Sequence, residues 1–137
     1  SEFLHAKTSM YPDLNEPVTD KLFLQEGRKV FREVCPKVSE IISTHLAENN
    51  ISTDKVKKLW LHQANINMID LILRTVMGKD ADKSIAPIVI DEFGNTSSAS
   101  PMIAFHRCQD GIASGDLAVI CSFGAGYSIG SVIVKKV

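Results

Sequence analysis

Two segments of the chain share one pattern, in which a short apolar run stops on polar side chains where a helix begins. Residues 59–65 place His62 after one such run, and residues 91–100 place Asn95 after the apolar run 85–90. In open α/β sheets, ligands bind beyond the carboxyl ends of the strands, at the strand-to-helix turns. The pattern therefore predicts an α/β fold in which His62 and Asn95 lie at one rim of one sheet.

Apolar runs and helical stripes follow the order β-α-β-α-β-α-β-β, which predicts a mixed, mostly parallel sheet. The expected strands cover residues 2–6, 56–61, 85–90, 117–122 and 128–135. The expected helices cover residues 24–47, 65–77 and 97–110, and residues 7–19 are expected to form a loop. We therefore expect a single α/β domain over residues 1–137, with a five-stranded sheet, an antiparallel last strand and helices on both faces.

Two of the expected helices constrain their surroundings. Pro36 falls inside the first helix, where it removes one N–H group and crowds the carbonyl group four residues back, so a kink is expected near Arg32. The second helix, 65–77, is apolar on nearly all sides, with Asp70 and Arg74 as a favourable pair on its polar face. A helix of that kind is covered by protein on most of its faces.

Charge and composition exclude several classes of function. A formal net charge of -1 and a pI near 6.4 give no electrostatic basis for binding nucleic acid or an anionic membrane. No apolar run approaches the roughly 20 residues needed to span a bilayer. The three cysteines fit neither a disulfide framework nor CxxC spacing, so we expect a cytoplasmic protein. No cluster of His, Cys, Asp or Glu has ligand spacing, so no metal site is expected.

Three motifs occur in a fixed order along the chain: His62-Gln63-Ala64-Asn65, Gly94-Asn95-Thr96-Ser97-Ser98-Ala99-Ser100 and Ser122-Phe123-Gly124-Ala125-Gly126-Tyr127. With them, the chain resembles the C-terminal half of a β-ketoacyl-acyl-carrier-protein synthase III, the thiolase-fold condensing enzyme that starts fatty-acid chains. The resemblance covers essentially all 137 residues. It implies one half of a thiolase-like fold, with the apolar second helix in the layer that the two halves share.

The resemblance also implies partners and substrates. The partners are the N-terminal half of the same enzyme, an acyl carrier protein, coenzyme A thioesters and a second copy in a homodimer. The substrates are acyl-CoA or acyl-carrier protein together with malonyl-carrier protein, and no cofactor is implied. The family's nucleophile is a cysteine of the N-terminal half. Cys35, Cys108 and Cys121 occupy positions typical of small buried hydrophobic residues, so this chain alone is expected to be inactive.

In the family that the chain resembles, His62 and Asn95 are paired hydrogen-bond donors. The neutral imidazole donates from Nε2 to the thioester carbonyl of the malonyl group, whose oxygen gains negative charge as carbon dioxide leaves. The asparagine adds a donor that is available at every pH and cannot take the proton away. Two alternatives stay open from the residues alone. His62 could bond locally at a strand end, and Asn95 could cap the following helix.

The resemblance marks further positions around this pair. Asn65 would contact the substrate near its pantetheine end, or else cap the helix that it begins. Phe123, Gly124 and Ala125 match a glycine-rich loop whose backbone N–H groups help to form the oxyanion hole of the acyl-enzyme. Many relatives have glycine where this chain has Ala125, and a plain hairpin turn would use the same residues.

Residues of the first helix are candidates for binding the carrier protein and its pantetheine. Gly27 and Phe31 match positions that line the pantetheine tunnel, although Phe31 also fits the core stripe of the helix. Four basic residues form a candidate docking patch for the acidic carrier protein: Arg28, Lys29, Arg32 and Arg74. Charged residues on a helix are more often a solvated face. In addition, Asn67 stands where relatives often have a docking arginine.

Three classes of function follow. The first is decarboxylative condensation of an acyl thioester with malonyl-carrier protein, assisted by His62 and Asn95. The second is an acyltransferase of the same fold that forms esters or amides without decarboxylation. The third is a non-catalytic partner subunit. The presence of both His62 and Asn95 favours condensation, because simple acyl transfer has less need of the asparagine donor and a partner subunit needs neither residue.

Overall fold

The computed structural model describes residues 4–6, 23–25, 27–124 and 126–137, so the loop expected over 7–19 lies outside the described residues. Strand β1 (Leu4–Ala6) pairs antiparallel with β2 (Phe23–Gln25) in a small sheet of their own. The main sheet has the order β3-β4-β5, formed by Val56–Leu61, Leu117–Gly124 and Ser128–Lys135. Strands β3 and β4 are parallel, whereas β4 and β5 form an antiparallel hairpin.

Helix α1 (Gly27–Glu48) packs an apolar stripe onto the main sheet. The stripe recurs at helical spacing and is buried at Val30, Val34, Cys35, Val38, Ser39, Ile42 and Leu46. Pro36 lies on the exposed side of this helix, where its missing N–H group leaves the helix intact. The Ser39 hydroxyl donates to the Cys35 carbonyl at 2.9 Å in the same turn. The kink expected near Arg32 stays a prediction.

Helix α2 (Ile66–Met77) begins at the Asn65 cap and ends at Gly78, whose φ of 108° favours glycine. It buries Met68, Ile69, Ile72, Leu73 and Val76 against α1 and the sheet. On its other side, Ile66 and Leu71 stay 48% and 38% exposed. The described part of the chain thus leaves these two apolar side chains partly uncovered, one on each side of the polar face that holds Asp70 and Arg74.

Side chains alternate across the main sheet, which places helices on both of its faces as expected. Leu59, Leu61 and Val119 point towards α1 and α2, and their neighbours Trp60 and Ala118 point to the other face. There they contact Ala104 of helix α4 (Ser100–Arg107) in a smaller core. The Trp60 indole donates to the Cys108 carbonyl at 3.0 Å and meets Phe105 edge-on.

The prediction of a strand over residues 85–90 is wrong, and so is the prediction of a five-stranded, mostly parallel sheet. The main sheet has three strands, and among the described strands only β3 and β4 pair in parallel. A 3-10 turn (Lys83–Ile85), an irregular stretch and the short helix α3 (Ile90–Phe93) replace the strand. Pro87 has no N–H to donate to a strand ladder. The Val89 N–H instead donates to the Gln63 side chain at 2.9 Å.

Helix boundaries also differ from those expected. Residues 24 and 25 belong to β2, so the first helix begins at Gly27. The helix expected over 97–110 is divided into a 3-10 turn (Ser97–Ala99) and α4, which ends at Arg107. Pro101 lies in the first turn of α4, where its missing N–H costs no helical hydrogen bond.

Candidate active site

His62 follows directly after β3 and is held by the end of β4. Its backbone N–H donates to the Cys121 carbonyl at 2.9 Å, which continues the hydrogen bonding between the two parallel strands. Its Nδ1 lies 3.3 Å from Ser122 Oγ, and its ring centroid lies 4.4 Å from that of Phe123, with the planes tilted by 34°. His62 is 6% exposed. The backbone, Ser122 and Phe123 therefore fix the orientation of the imidazole.

The surroundings of His62 favour its neutral form. Burial lowers the pKa of His62 below its usual 6.5, because the charged form loses its hydration. A hydroxyl group at Nδ1 can donate to that nitrogen, and an imidazole that accepts at Nδ1 carries its proton on Nε2. The site thus suits a neutral imidazole that donates from Nε2.

Gln63, the next residue, has no exposed surface, and its polar groups bond to several segments of the chain. Its Nε2 donates to the Leu61 carbonyl at 3.0 Å and to the Pro87 carbonyl at 3.3 Å, and its Oε1 accepts from the Val89 N–H at 2.9 Å. Its backbone N–H donates to Ser100 Oγ at 2.9 Å. The end of β3 is therefore tied both to the segment before α3 and to the start of α4.

Asn95 is exposed in the loop that follows α3. Its Oδ1 accepts from the Ser97 N–H at 2.9 Å, which forms a turn, whereas the N-cap positions of the following helical segments are Thr96 and Ala99. Because the oxygen faces a donor, the other end of the amide is the NH2 group. Among the described residues, none accepts a hydrogen bond from that group, so it is available to a ligand. No hydrogen bond within the described part of the chain joins Asn95 directly to His62.

Asn65 repeats this arrangement at the start of α2. Its Oδ1 accepts from the Asn67 N–H at 2.8 Å, as expected for a helix cap. Asn65 is exposed, and its NH2 group has no acceptor among the residues that the structure describes. The cap explains the residue structurally and leaves its donor end directed elsewhere.

The glycine-rich loop connects β4 to β5. Phe123 is 8% exposed and covers His62, and Gly124 pairs with Ser128 at the end of the hairpin, so the hairpin alternative is observed. Ala125 lies outside the described residues. Gly126 has a φ of 137°, and a Cβ there would lie 2.9 Å from the backbone nitrogen and from the Oγ of Ser128. Only glycine fits at Gly126 without a shift of its neighbours.

The candidate carrier-binding residues divide into two places. Arg28, Lys29 and Arg32 are exposed and, with Gly27 and Glu33, line an open groove of about 640 Å³ at the start of α1. Phe31 is partly buried and packs against the main core, as its structural alternative anticipated.

Arg74 lies on α2, outside this groove, with its guanidinium 2.9 Å from the Asp70 carboxylate. Lys83 lies 3.7 Å from the same carboxylate. The structure therefore groups three of the four basic candidates and assigns Arg74 to a local ion pair.

The cysteines are poor nucleophiles in this structure. Burial raises the pKa of Cys35 to about 11 and that of Cys121 to about 12. It also raises the pKa of Cys108, which is partly exposed. A thiol with a raised pKa carries little thiolate at neutral pH, and the thiolate is the reactive form.

The described part of the chain lacks two further features. No three residues of the types His, Cys, Asp and Glu are arranged there to hold a metal ion. No helix there has the length and apolar character needed to cross a membrane.

Sequence reasoning placed His62 and Asn95 but gave no role to the residues that support them. Gln63, Ser100 and Ser122 make tertiary hydrogen bonds to segments that are distant along the chain, so no local pattern announces them. A weak signal existed for Gln63, since it lies two residues after the end of β3, where a polar residue must find buried partners.

Comparison with known proteins identifies the relatives of this chain. Residues 46–136 match the family described as 3-oxoacyl-[acyl-carrier-protein (ACP)] synthase III C terminal. A curated Pseudomonas aeruginosa protein named beta-ketodecanoyl-[acyl-carrier-protein] synthase is 57% identical over 117 residues, which cover 85% of this chain and 33% of the relative. A Porphyromonas gingivalis beta-ketoacyl-[acyl-carrier-protein] synthase III is 33% identical over 134 residues, which cover 96% of this chain and 39% of the relative.

A solved structure agrees with these relatives. The 3-oxoacyl-[acyl-carrier-protein] synthase III of Aquifex aeolicus superposes with a TM-score of 0.79 at 25% identity, covering 97% of this chain and 39% of that one. The chain thus spans between a third and two fifths of the length of these three proteins. Its fold is the thiolase-like fold of these neighbours.

Proposed function

Because the chain belongs to the 3-oxoacyl-[acyl-carrier-protein] synthase III family, as its C-terminal part, we propose that it provides His62 and Asn95 to a decarboxylative condensation. In that reaction an acyl thioester and malonyl-carrier protein give a β-ketoacyl thioester. The observation that carries the proposal is the environment of His62. Its imidazole is buried, neutral and fixed between Ser122 and Phe123.

His62 and Asn95 act on the thioester carbonyl of the malonyl group. As the bond to the carboxylate breaks and carbon dioxide leaves, the electron pair moves into an enolate whose negative charge rests on that carbonyl oxygen. Nε2–H of His62 and the NH2 group of Asn95 donate to the oxygen and so stabilise the charge. A fixed donor of this type contributes roughly 3–4 kcal/mol to the transition state.

Each donor has a supporting contact of its own. The Ser122 hydroxyl can donate to Nδ1, an arrangement in which the imidazole proton lies on Nε2. The Ser97 N–H at Asn95 Oδ1 fixes which end of the amide faces outward. Asn65 has the same geometry at the start of α2, and we assign its NH2 group to the pantetheine arm of the substrate, with Gly27 and Phe31 further along the tunnel.

The acyl group is carried by a cysteine of an N-terminal half. Support comes from the raised pKa values of this chain's own cysteines and from relatives about two and a half times as long. The partly exposed apolar side chains Ile66 and Leu71 on α2 would be covered by such a half. The enolate carbon attacks the acyl-cysteine thioester, a carbon–carbon bond forms, and the cysteine thiolate leaves. The covalent intermediate implies ping-pong kinetics.

The 57% identical relative suggests which acyl group to test first. Its name specifies a β-ketodecanoyl product. Condensation adds two carbons, so an octanoyl donor would give that product. We therefore expect this chain to act on a medium-chain acyl thioester, with octanoyl-CoA as the first donor to supply.

The groove at the start of α1 is the proposed carrier-protein contact. Arg28, Lys29 and Arg32 present positive charge there on exposed side chains, which suits an acidic carrier protein. Arg74 contributes less, because Asp70 already neutralises it. A homodimer is expected as well, and light scattering after size-exclusion chromatography measures it.

Mass spectrometry of reaction products tests the proposal. The chain, joined to its N-terminal half, is supplied with octanoyl-CoA and malonyl-carrier protein, and His62→Ala and Asn95→Ala variants run in parallel. We expect β-ketodecanoyl-carrier protein from the unmodified enzyme and a loss of about a hundredfold to a thousandfold in kcat from either variant.

Other outcomes select the other functions. Transfer of the octanoyl group to a hydroxyl or amine acceptor without gain of carbon, unaffected by Asn95→Ala, would favour the acyltransferase. No turnover of any acyl donor by a correctly folded protein would favour the partner subunit.

A further inference from the structure

Ser100, the first residue of α4, has a buried hydroxyl that makes two hydrogen bonds. Its Oγ accepts from the Gln63 N–H at 2.9 Å and donates to the Ser97 carbonyl at 2.6 Å. Ser100 is 1% exposed, so water does not compete for either bond. The hydroxyl thus joins the end of β3 to the turn that precedes α4.

Each of the two segments that Ser100 joins carries one of the proposed donors. Gln63 directly follows His62 along the chain. On the other side, the Ser97 residue that accepts from Ser100 also donates its N–H to Asn95 Oδ1 at 2.9 Å. A continuous path therefore runs from the residue beside His62 through Ser100 and Ser97 to the Asn95 side chain.

The turn at Ser97 depends on these bonds. Ser97 has a φ of 54°, in the left-handed region that non-glycine residues rarely adopt. Such a conformation is held only where the surroundings determine it. Its carbonyl accepts from both the backbone N–H and the hydroxyl of Ser100, and its N–H donates to Asn95. Removal of the Ser100 hydroxyl therefore releases one of the three bonds that hold the turn.

We infer that Ser100 is a positioning residue, whose hydroxyl fixes the Asn95 amide relative to the His62 imidazole. The inference rests on the proposed function, since it concerns the geometry of the same two donors. Two donors stabilise one oxygen only when both reach it at once, and a displacement of about 1 Å can cost up to a hundredfold in rate.

Steady-state kinetics of Ser100→Ala, in the chain joined to its N-terminal half, tests this role. We expect kcat to fall about tenfold to a hundredfold, with the KM for malonyl-carrier protein changed by less than about twofold. Ser98→Ala is the matched control, because Ser98 is exposed in the same turn and its hydroxyl bonds to none of the described residues. Its kcat should equal that of the unmodified enzyme.

Ser100→Cys is a second variant, used in case Ser100→Ala fails to fold. The thiol fills nearly the same space but is a weak donor and a weak acceptor. Thermal melting is measured for both variants, and Ser100→Cys decides the result if Ser100→Ala fails to fold. The expected kcat loss should appear in the variant that retains a cooperative melting transition.

A double-mutant cycle separates positioning from a general structural role. If Ser100 acts through Asn95, adding Ser100→Ala to Asn95→Ala should lower kcat by less than about threefold further. An equal loss in both backgrounds would overturn the inference, as would Ser100 variants as active as Ser98→Ala. A parent enzyme without any two-carbon-longer product would instead refute the proposed function itself.

Discussion

Replacement of Gln63 by alanine is expected to lower the free energy of unfolding by about 2–5 kcal/mol. The side chain is fully buried, and its removal leaves the Val89 N–H without its acceptor, at a cost of about 1–3 kcal/mol. The Leu61 and Pro87 carbonyls each lose one donor, and we assign about 0.5–1 kcal/mol to each because a carbonyl keeps a second lone pair. The three contributions together give the stated range.

Urea unfolding followed by circular dichroism measures this loss. Gln109→Ala is the matched control, because Gln109 is exposed and its side chain makes no hydrogen bond with the described residues. Surface changes of that kind stay within about 0.5 kcal/mol. If Gln63→Ala were no more destabilising than Gln109→Ala, the Gln63 side chain would not hold the end of β3 to the segment before α3.

Gln63→Glu makes the same argument depend on pH. The carboxylate would still accept from Val89, but it would face the Leu61 and Pro87 carbonyl oxygens in a buried site. Both effects raise the pKa of the new carboxyl above its usual value of about 4.3. The protonated form can donate to a carbonyl, so the variant is most stable at low pH and loses stability as the pH rises from about 4.3 through the raised pKa. A deficit that does not change with pH would contradict the hydrogen-bond assignments.

Three more predictions concern the site and its surroundings. Burial holds the pKa of His62 below 6.5 in the free protein, so the acid limb of the kcat/KM profile should lie below that pH and be absent in His62→Gln. A limb at or above pH 6.5 would refute this. Gly126→Ala should lower the free energy of unfolding, measured by chemical denaturation, by about 1–3 kcal/mol. Gly130→Ala is the control and should leave the free energy of unfolding unchanged, because a Cβ at that position meets open space. Equal effects of the two substitutions would contradict the requirement for glycine at Gly126. Arg32→Glu should raise the KM for malonyl-carrier protein, and the increase should be larger at low salt than at high salt. The control Lys57→Glu, at another exposed lysine, should leave this KM unchanged. An increase that does not depend on salt would argue against docking at the groove.

Local patterns predicted the parts of the fold that local forces determine. Helix α2, for example, has an apolar stripe, an asparagine cap and a closing glycine, and it forms within one residue of its expected bounds. Strands β3, β4 and β5 have apolar runs separated by turn residues, and they also form where expected.

The failure at residues 85–90 has a tertiary cause. The run is apolar enough for a buried strand, but Ile88 is 41% exposed and Pro87 has no N–H to donate. The segment is held instead by the Gln63 side chain, which comes from another strand end. A contact of that kind between distant segments cannot be inferred from the periodicity of the segment itself.

For the candidate site as well, the sequence indicates the local motifs but not the tertiary contacts. The motifs single out His62 and Asn95 as candidates. The hydroxyl beside His62 comes from Ser122, and the one that bonds to Gln63 and Ser97 comes from Ser100, and the sequence offers both among many similar serines. The helix cap at Asn65 and the turn at Asn95 are both compatible with a donor role, because in each the amide oxygen accepts the local bond and the NH2 group stays available.

The parallel pairing of β3 with β4 determines when the site can form during folding. His62 and Ser122 are 60 residues apart along the chain, so their contact requires a large loop to close, whereas α1 and α2 form from neighbouring residues. During synthesis, β3 is complete before any residue of β4 has been made. A nascent chain that stops before Leu117 contains both His62 and Asn95 yet has no surface that orients the imidazole. The last twenty or so residues, which contain no proposed donor side chain, therefore decide whether the two donors become a site.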